Sequence, residues 1–228
     1  MYARGLKPLS IASVVALTGA FALVLFYAPN DADQGFVQKI FYIHVPLALV
    51  ALGGFVMGGV YGIKHLRSGR REHDMKSYVA IHVAIMLGLA TLATGMIWAK
   101  ASWGAWWVWD EPTLVAFLIV FLLYACYQPL RFSIEDPERQ ARYAAVFAVI
   151  AGAFVPICFM SVRFAQAALV HPRVLDQTGG GMPGSMFATF LVALLAMVLF
   201  FVTLWKFELT SKHARFQLAA MRRKLLEA

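Results

Sequence analysis

Long apolar runs recur six times along the chain, each bounded by a short polar or charged stretch. They cover residues 9–28, 41–63, 78–99, 113–130, 143–162 and 185–205, and none carries Asp, Glu, Lys or Arg in its interior. A bilayer core about 30 Å thick asks for about 20 apolar residues per spanning helix. Backbone groups inside hydrocarbon must pair within their own segment, so helices are expected and open strands are not. The strict two-residue alternation of an outer-membrane barrel is absent. The first run lacks a cleavage site of the Ala-x-Ala kind after a short apolar core, so it reads as a retained helix. The expected fold is all-α: one polytopic membrane domain over residues 1–228 with six transmembrane helices.

Composition agrees with that pattern. The chain has 228 residues, 61% hydrophobic and 14% charged, against about 45–50% and about 25% in a soluble domain. Two cysteines, with neither a C-x-x-C nor a C-x-x-C-H spacing, exclude a zinc ribbon, a redox dithiol and a covalent c-type haem site. No phosphate-cradling G-x-x-x-x-G-K-[ST] occurs, and no internal repeat points to an inverted-repeat transporter.

The net charge of +8 takes its meaning from its placement. Sixteen of the 20 Lys and Arg residues fall in the two terminal segments and the second and fourth loops. Only Lys39, Lys100, Arg163 and Arg173 fall in the other three loops. Basic residues favour the cytoplasmic side, so both termini are expected there, and topology rather than nucleic-acid binding accounts for the excess. Segments 29–40, 100–112 and 163–184 then face outward.

The chemistry concentrates on that outer face. Four of the six tryptophans, Trp103, Trp106, Trp107 and Trp109, stand within seven residues in loop 100–112 and are followed by Asp110. Two readings remain open. They form an interfacial aromatic belt, or they build a flat π surface for a large planar ligand with a polar edge. Asp110, just before Glu111-Pro112-Thr113, also suits the cap of the fourth helix. Of six histidines, only His44 and His171 lie on the outer side, one on either side of the tryptophans in the chain. Each is either a hydrogen-bonded interface residue or a ligand, and two neutral imidazoles could hold haem iron six-coordinate. Lys39, Lys100, Arg163 and Arg173 are interfacial anchors or partners for ligand carboxylates. His82, near the inner end of the third helix, reads as structural, and Cys126 and Cys158 as small buried hydrophobes.

The stretch Trp103-Gly-Ala-Trp-Trp-Val-Trp-Asp110 resembles the tryptophan-rich WWD signature of haem-handling membrane proteins in cytochrome c biogenesis. With six helices and Phe41-Tyr42-Ile43-His44-Val45-Pro46, the chain looks most like the haem exporter protein C family, CcmC, over essentially its whole length. The resemblance implies a multi-pass protein of the bacterial inner membrane that presents haem on its outer, periplasmic face. It implies transfer of haem b, a transient non-covalent substrate, to a membrane-anchored haem chaperone that binds it covalently through a histidine. It implies an ABC-type ATPase and permease as neighbours, beside the lipid bilayer. Residue by residue, it puts the axial iron ligands on His44 and His171, and the haem platform on Trp103, Trp106, Trp107, Trp109 and Asp110. Two departures touch the pocket edge: Glu111-Pro112-Thr113-Leu114 where the family has a basic residue and Thr-Ser, and Phe164-Ala165-Gln166 where it is Trp-rich.

No acid–base pair demands an enzymatic role. An alternative function is a subunit translocating haem or another amphiphile across the membrane with an ABC transporter. It needs a polar path, for which the helices offer little beyond His82, Thr91, Thr94 and Gln128. A purely structural subunit of such a complex is the third reading.

Overall fold

The computed structural model of the protein describes residues 3–164 and 182–226. Along them run α1 (Leu6–Phe26), a 3-10 turn (Phe36–Ile40), α2 (Phe41–Ser68), α3 (Arg71–Trp103), α4 (Pro112–Ala125), α5 (Tyr127–Phe132), α6 (Pro137–Phe164) and α7 (Gly184–Leu226). α4 and α5 form a single apolar stretch broken at Cys126, so the described residues contain six helical spans long and apolar enough to cross a membrane. The chain is a polytopic α-helical membrane protein, as the hydropathy pattern requires.

Several helices outrun their apolar runs. α3 has 33 residues and α7 has 43, which at 1.5 Å per residue is about 50 and about 65 Å, well beyond a hydrocarbon core. Lys, Arg and Glu are good helix formers, so the backbone ladder continues where the apolar run stops. What ends α2 and α3 is backbone geometry. Gly69 (φ 65°) and Gly104 (φ 75°) take the left-handed conformation, and their N–H groups bond to the His65 and Lys100 carbonyls at 2.8 and 3.2 Å.

α2 is the central helix, packed against α3, α6 and α7, while α1 lies along α7. Gly54 and Gly58 allow that closeness: a Cβ on Gly54 would stand 2.7 Å from Phe201 and 2.8 Å from Ala84, and one on Gly58 would collide with Ile81. Small residues spaced by four let helix backbones approach where no hydrophobic drive separates protein from lipid. Ser77 at the start of α3 bonds the Gly58 carbonyl at 2.7 Å, fixing α2 and α3 as an antiparallel pair.

Two apolar cores result. The larger joins α2, α3, α4, α6 and α7 around Phe55 and Tyr124, whose rings stack at 3.9 Å. The smaller joins Ala20 and Val24 of α1, Phe41 and Tyr42 of α2, Trp98 of α3 and Phe190 of α7. This second core lies under the tryptophan-rich segment and carries the site described next.

At the opposite end, Arg131 makes a bidentate pair with Asp74 (2.6 and 2.7 Å) and lies 4.9 Å from the Tyr78 ring centre. His82 bonds Glu208 of α7 at 2.7 Å, so its partner lies in the extension of the last helix, in keeping with the structural reading. Cys158 is buried, but Cys126 is exposed on the apolar surface rather than buried as its chemistry suggested.

Candidate functional site at the tryptophan-rich end

His44 sits in the first turn of α2, directly after the 3-10 turn that brings the chain in from α1. Pro46 has no N–H to give the Tyr42 carbonyl, so this turn is only partly closed by its own ladder. The end of α3 runs past it. Thr94, Gly95 and Trp98 share one face of α3 and form a socket for the imidazole. Nδ1 of His44 lies 3.1 Å from Thr94 Oγ1. Gly95 leaves room for the ring, and the indole of Trp98 meets it edge-on at 5.7 Å and 76°.

Trp98 is itself anchored. Its Nε1–H donates to Gln34 Oε1 at 2.8 Å, and the Ser102 hydroxyl donates to the same oxygen at 3.3 Å. Gln34 belongs to the α1–α2 connection, where Asp31 Oδ1 accepts the backbone N–H groups of Asp33 and Gln34 at 3.0 and 2.9 Å. This Asx turn is a local consequence of the short acidic side chain. The connection and the end of α3 are thus tied together across the mouth of the site.

The tryptophans occupy unequal positions. Trp103 is the last residue of α3 and not part of a loop, because the helix continues until Gly104 turns it. Trp106 and Trp109 are 54% and 71% exposed, whereas Trp103 and Trp107 are half-buried. Trp107 and Trp109 pack edge-to-face, with centroids 5.8 Å apart and planes at 65°. This pair is therefore not the flat surface expected from four clustered indoles; its quadrupoles favour the crossed arrangement. Asp110 is exposed and does not cap α4. Glu111 holds the cap position, is 1% exposed and makes no side-chain cap bond, with Pro112 opening the helix.

His171 lies outside the described residues, as does Arg173. Lys39 is buried and donates to the Leu25 carbonyl at 3.2 Å, near the end of α1. Lys100 donates to the Gly104 carbonyl at 2.7 Å, at the end of α3. Both lysines satisfy helix-end carbonyls, which is the anchoring reading.

Gln38 Oε1, Tyr42 Oη, Trp107 Nε1 and Thr113 Oγ1, in the segments of this end, are buried without hydrogen-bond partners among the described residues. Buried polar groups are ordinarily paired.

A family model described as Heme exporter protein C matches residues 1–224. The chain belongs to the Heme exporter protein C family. The Heme exporter protein C of Bradyrhizobium diazoefficiens is 34% identical over 98% of this chain and 80% of its own. That of Paracoccus denitrificans is 31% identical over 76% of this chain and 71% of its own. That of Escherichia coli K12 is 30% identical over 68% and 63%.

For a member of the Heme exporter protein C family, the polar residues inside the bundle also matter. Thr91 donates to Leu87 O at 2.9 Å and Thr94 to Ala90 O at 2.8 Å, each to its own helix, and His82 is paired with Glu208. Of the four residues named for a polar translocation path, these three are engaged within the bundle. Thr94, Gly95, Trp98 and Gln34 were not among the site residues read from the sequence. A threonine one helical turn before a tryptophan at the end of an apolar run is the only signal they leave.

Proposed function

We propose that this protein binds haem b at the outer face of the bacterial inner membrane. It presents the haem to a membrane-anchored haem chaperone during maturation of c-type cytochromes. The observation that carries the reading is the socketed His44 at the same end of the bundle as the exposed Trp106 and Trp109. Membership of a family whose name is Heme exporter protein C supplies the ligand class. The distribution of basic residues supports cytoplasmic termini, which turns the tryptophan-rich end outward.

In this reading His44 and His171 are the axial ligands of the iron. Trp103, Trp106, Trp107 and Trp109 receive the porphyrin, and Asp110 closes the platform edge. The iron and porphyrin bring their own reactivity, and the chain supplies position and a water-poor setting. It carries haem rather than converting it. Holding haem at the leaflet surface turns an encounter with the chaperone into a local event, and proximity provides the acceleration. An ABC-type ATPase and permease complete the assembly.

The test is the absorption spectrum of the protein co-purified with its haem chaperone, compared between wild type and a His44→Ala, His171→Ala double variant. A low-spin Soret spectrum in wild type that is lost or turned high-spin in the variant is the expected result. Identical haem spectra in both would remove the ligand assignment, and a haem-free wild-type complex would remove the function.

A further inference from the structure

We infer that Thr94 is a positioning residue that selects the iron-binding tautomer of His44, an inference that rests on the haem-ligand reading of His44. A threonine hydroxyl has one hydrogen and two lone pairs. Thr94 Oγ1 is 2.8 Å from the Ala90 carbonyl and 3.1 Å from the Thr91 carbonyl, both on its own helix. We assign its hydrogen to these two carbonyls of α3. With that assignment, what Oγ1 presents to His44 Nδ1, 3.1 Å away, is a lone pair.

A neutral imidazole carries its proton on one nitrogen, and the bond made by that nitrogen sets which one. With Oγ1 as acceptor, the proton sits on Nδ1, and the lone pair is on Nε2. Nε2 is then the atom that meets iron. Gly95 and the edge of Trp98 restrain the ring plane, so tautomer and orientation are set by three neighbouring residues of α3. A hydrogen bond from Nδ1–H also raises the electron donation of the ring to the metal, and loss of such an outer partner typically costs 10–100-fold in metal affinity.

The comparison uses full-length protein in detergent, titrated with hemin, with haem affinity, spectrum and midpoint potential measured. Thr94→Val keeps the shape and removes the acceptor. It is expected to weaken hemin binding about tenfold or more and to move the midpoint potential positive, because a less donating ligand favours the reduced iron. Thr94→Ser restores the acceptor and is expected to recover both. If Thr94→Val matches wild type in affinity and potential, the inference is wrong. It is equally wrong if Thr94→Ser fails to rescue, because the effect then comes from packing. Should Thr94→Val not fold, Thr94→Ala makes the same comparison against Thr94→Ser. His44→Ala separates the two levels of the argument. A changed spectrum there beside a silent Thr94→Val removes only the role of Thr94, whereas an unchanged spectrum in His44→Ala removes the ligand reading and this inference with it.

Discussion

Gly95 lies so close to the His44 ring that a Cβ there would stand 2.8 Å from Cε1 and 3.4 Å from Nδ1. The ring cannot retreat freely, because Thr94 holds Nδ1 and Trp98 stands at its edge. Gly95→Ala is therefore expected to push the imidazole out of its socket. Overpacking of this kind costs about 1–3 kcal/mol. The larger effect falls on function, with haem bound at limiting concentration reduced about tenfold as the outer hydrogen bond is lost. A hemin titration of Gly95→Ala that overlays wild type would show that the ring position does not matter.

The spans of this fold were legible because apolar length is a direct physical demand of the bilayer. Their ends were not, since Gly69 and Gly104 rather than hydropathy stop α2 and α3. That is why Trp103 was placed in a loop while the structure makes it the last residue of α3. The capping role considered for Asp110 followed from local chemistry, yet Glu111 takes the position, because the pair Asp-Glu before Pro112 leaves a one-residue ambiguity that only packing resolves. His44 stood out by residue type and topology. Its socket did not, because Thr94 and Gly95 acquire meaning only when α3 folds back along α2, 50 residues away in sequence.

Trp98 and Gln34 predict how firmly the α1–α2 connection is held. The indole is buried, and its N–H has Gln34 Oε1 as acceptor at 2.8 Å. Gln34→Ala leaves that donor buried and unpaired, which costs about 1–3 kcal/mol. For a chain of this size that is a fall in melting temperature of about 2–4 °C per kcal/mol. Adding Trp98→Phe to Gln34→Ala removes the stranded donor, so the double variant should lose less than the sum of the two single changes. Strict additivity in detergent thermal scans would mean that the two side chains are not coupled.

The Arg131–Asp74 pair makes a prediction about the opposite end. Both groups are largely removed from solvent and bond through two parallel contacts of 2.6 and 2.7 Å. Removing one partner of such a pair strands a buried charge and costs about 3–5 kcal/mol, whereas replacing both by apolar groups is often neutral. Asp74→Ala and Arg131→Met should each give a poorly stable protein, and Asp74→Leu with Arg131→Met should recover most of the loss. The same single variants should leave the Soret maximum of the surviving folded protein in place, since the pair lies at the other end of the bundle. Equal stability of all variants by thermal unfolding would show that water reaches the pair and screens it.

Trp107 offers the sharpest separation between folding and binding. Its Nε1–H is buried without a partner among the described residues, a state that costs stability in the isolated protein. Phenylalanine keeps an aromatic ring against Trp109 and deletes the stranded donor. Trp107→Phe should therefore melt at the wild-type temperature or above it. If the polar rim of haem accepts that N–H, the same change should weaken hemin binding about tenfold, since a hydrogen bond to a charged acceptor contributes about 1.5–3 kcal/mol. Trp109→Ala, at a residue 71% exposed, should leave the melting temperature nearly unchanged and act mainly on haem retention. A lowered melting temperature in Trp107→Phe together with unaltered hemin affinity would make Trp107 a packing residue and move the haem edge away from it.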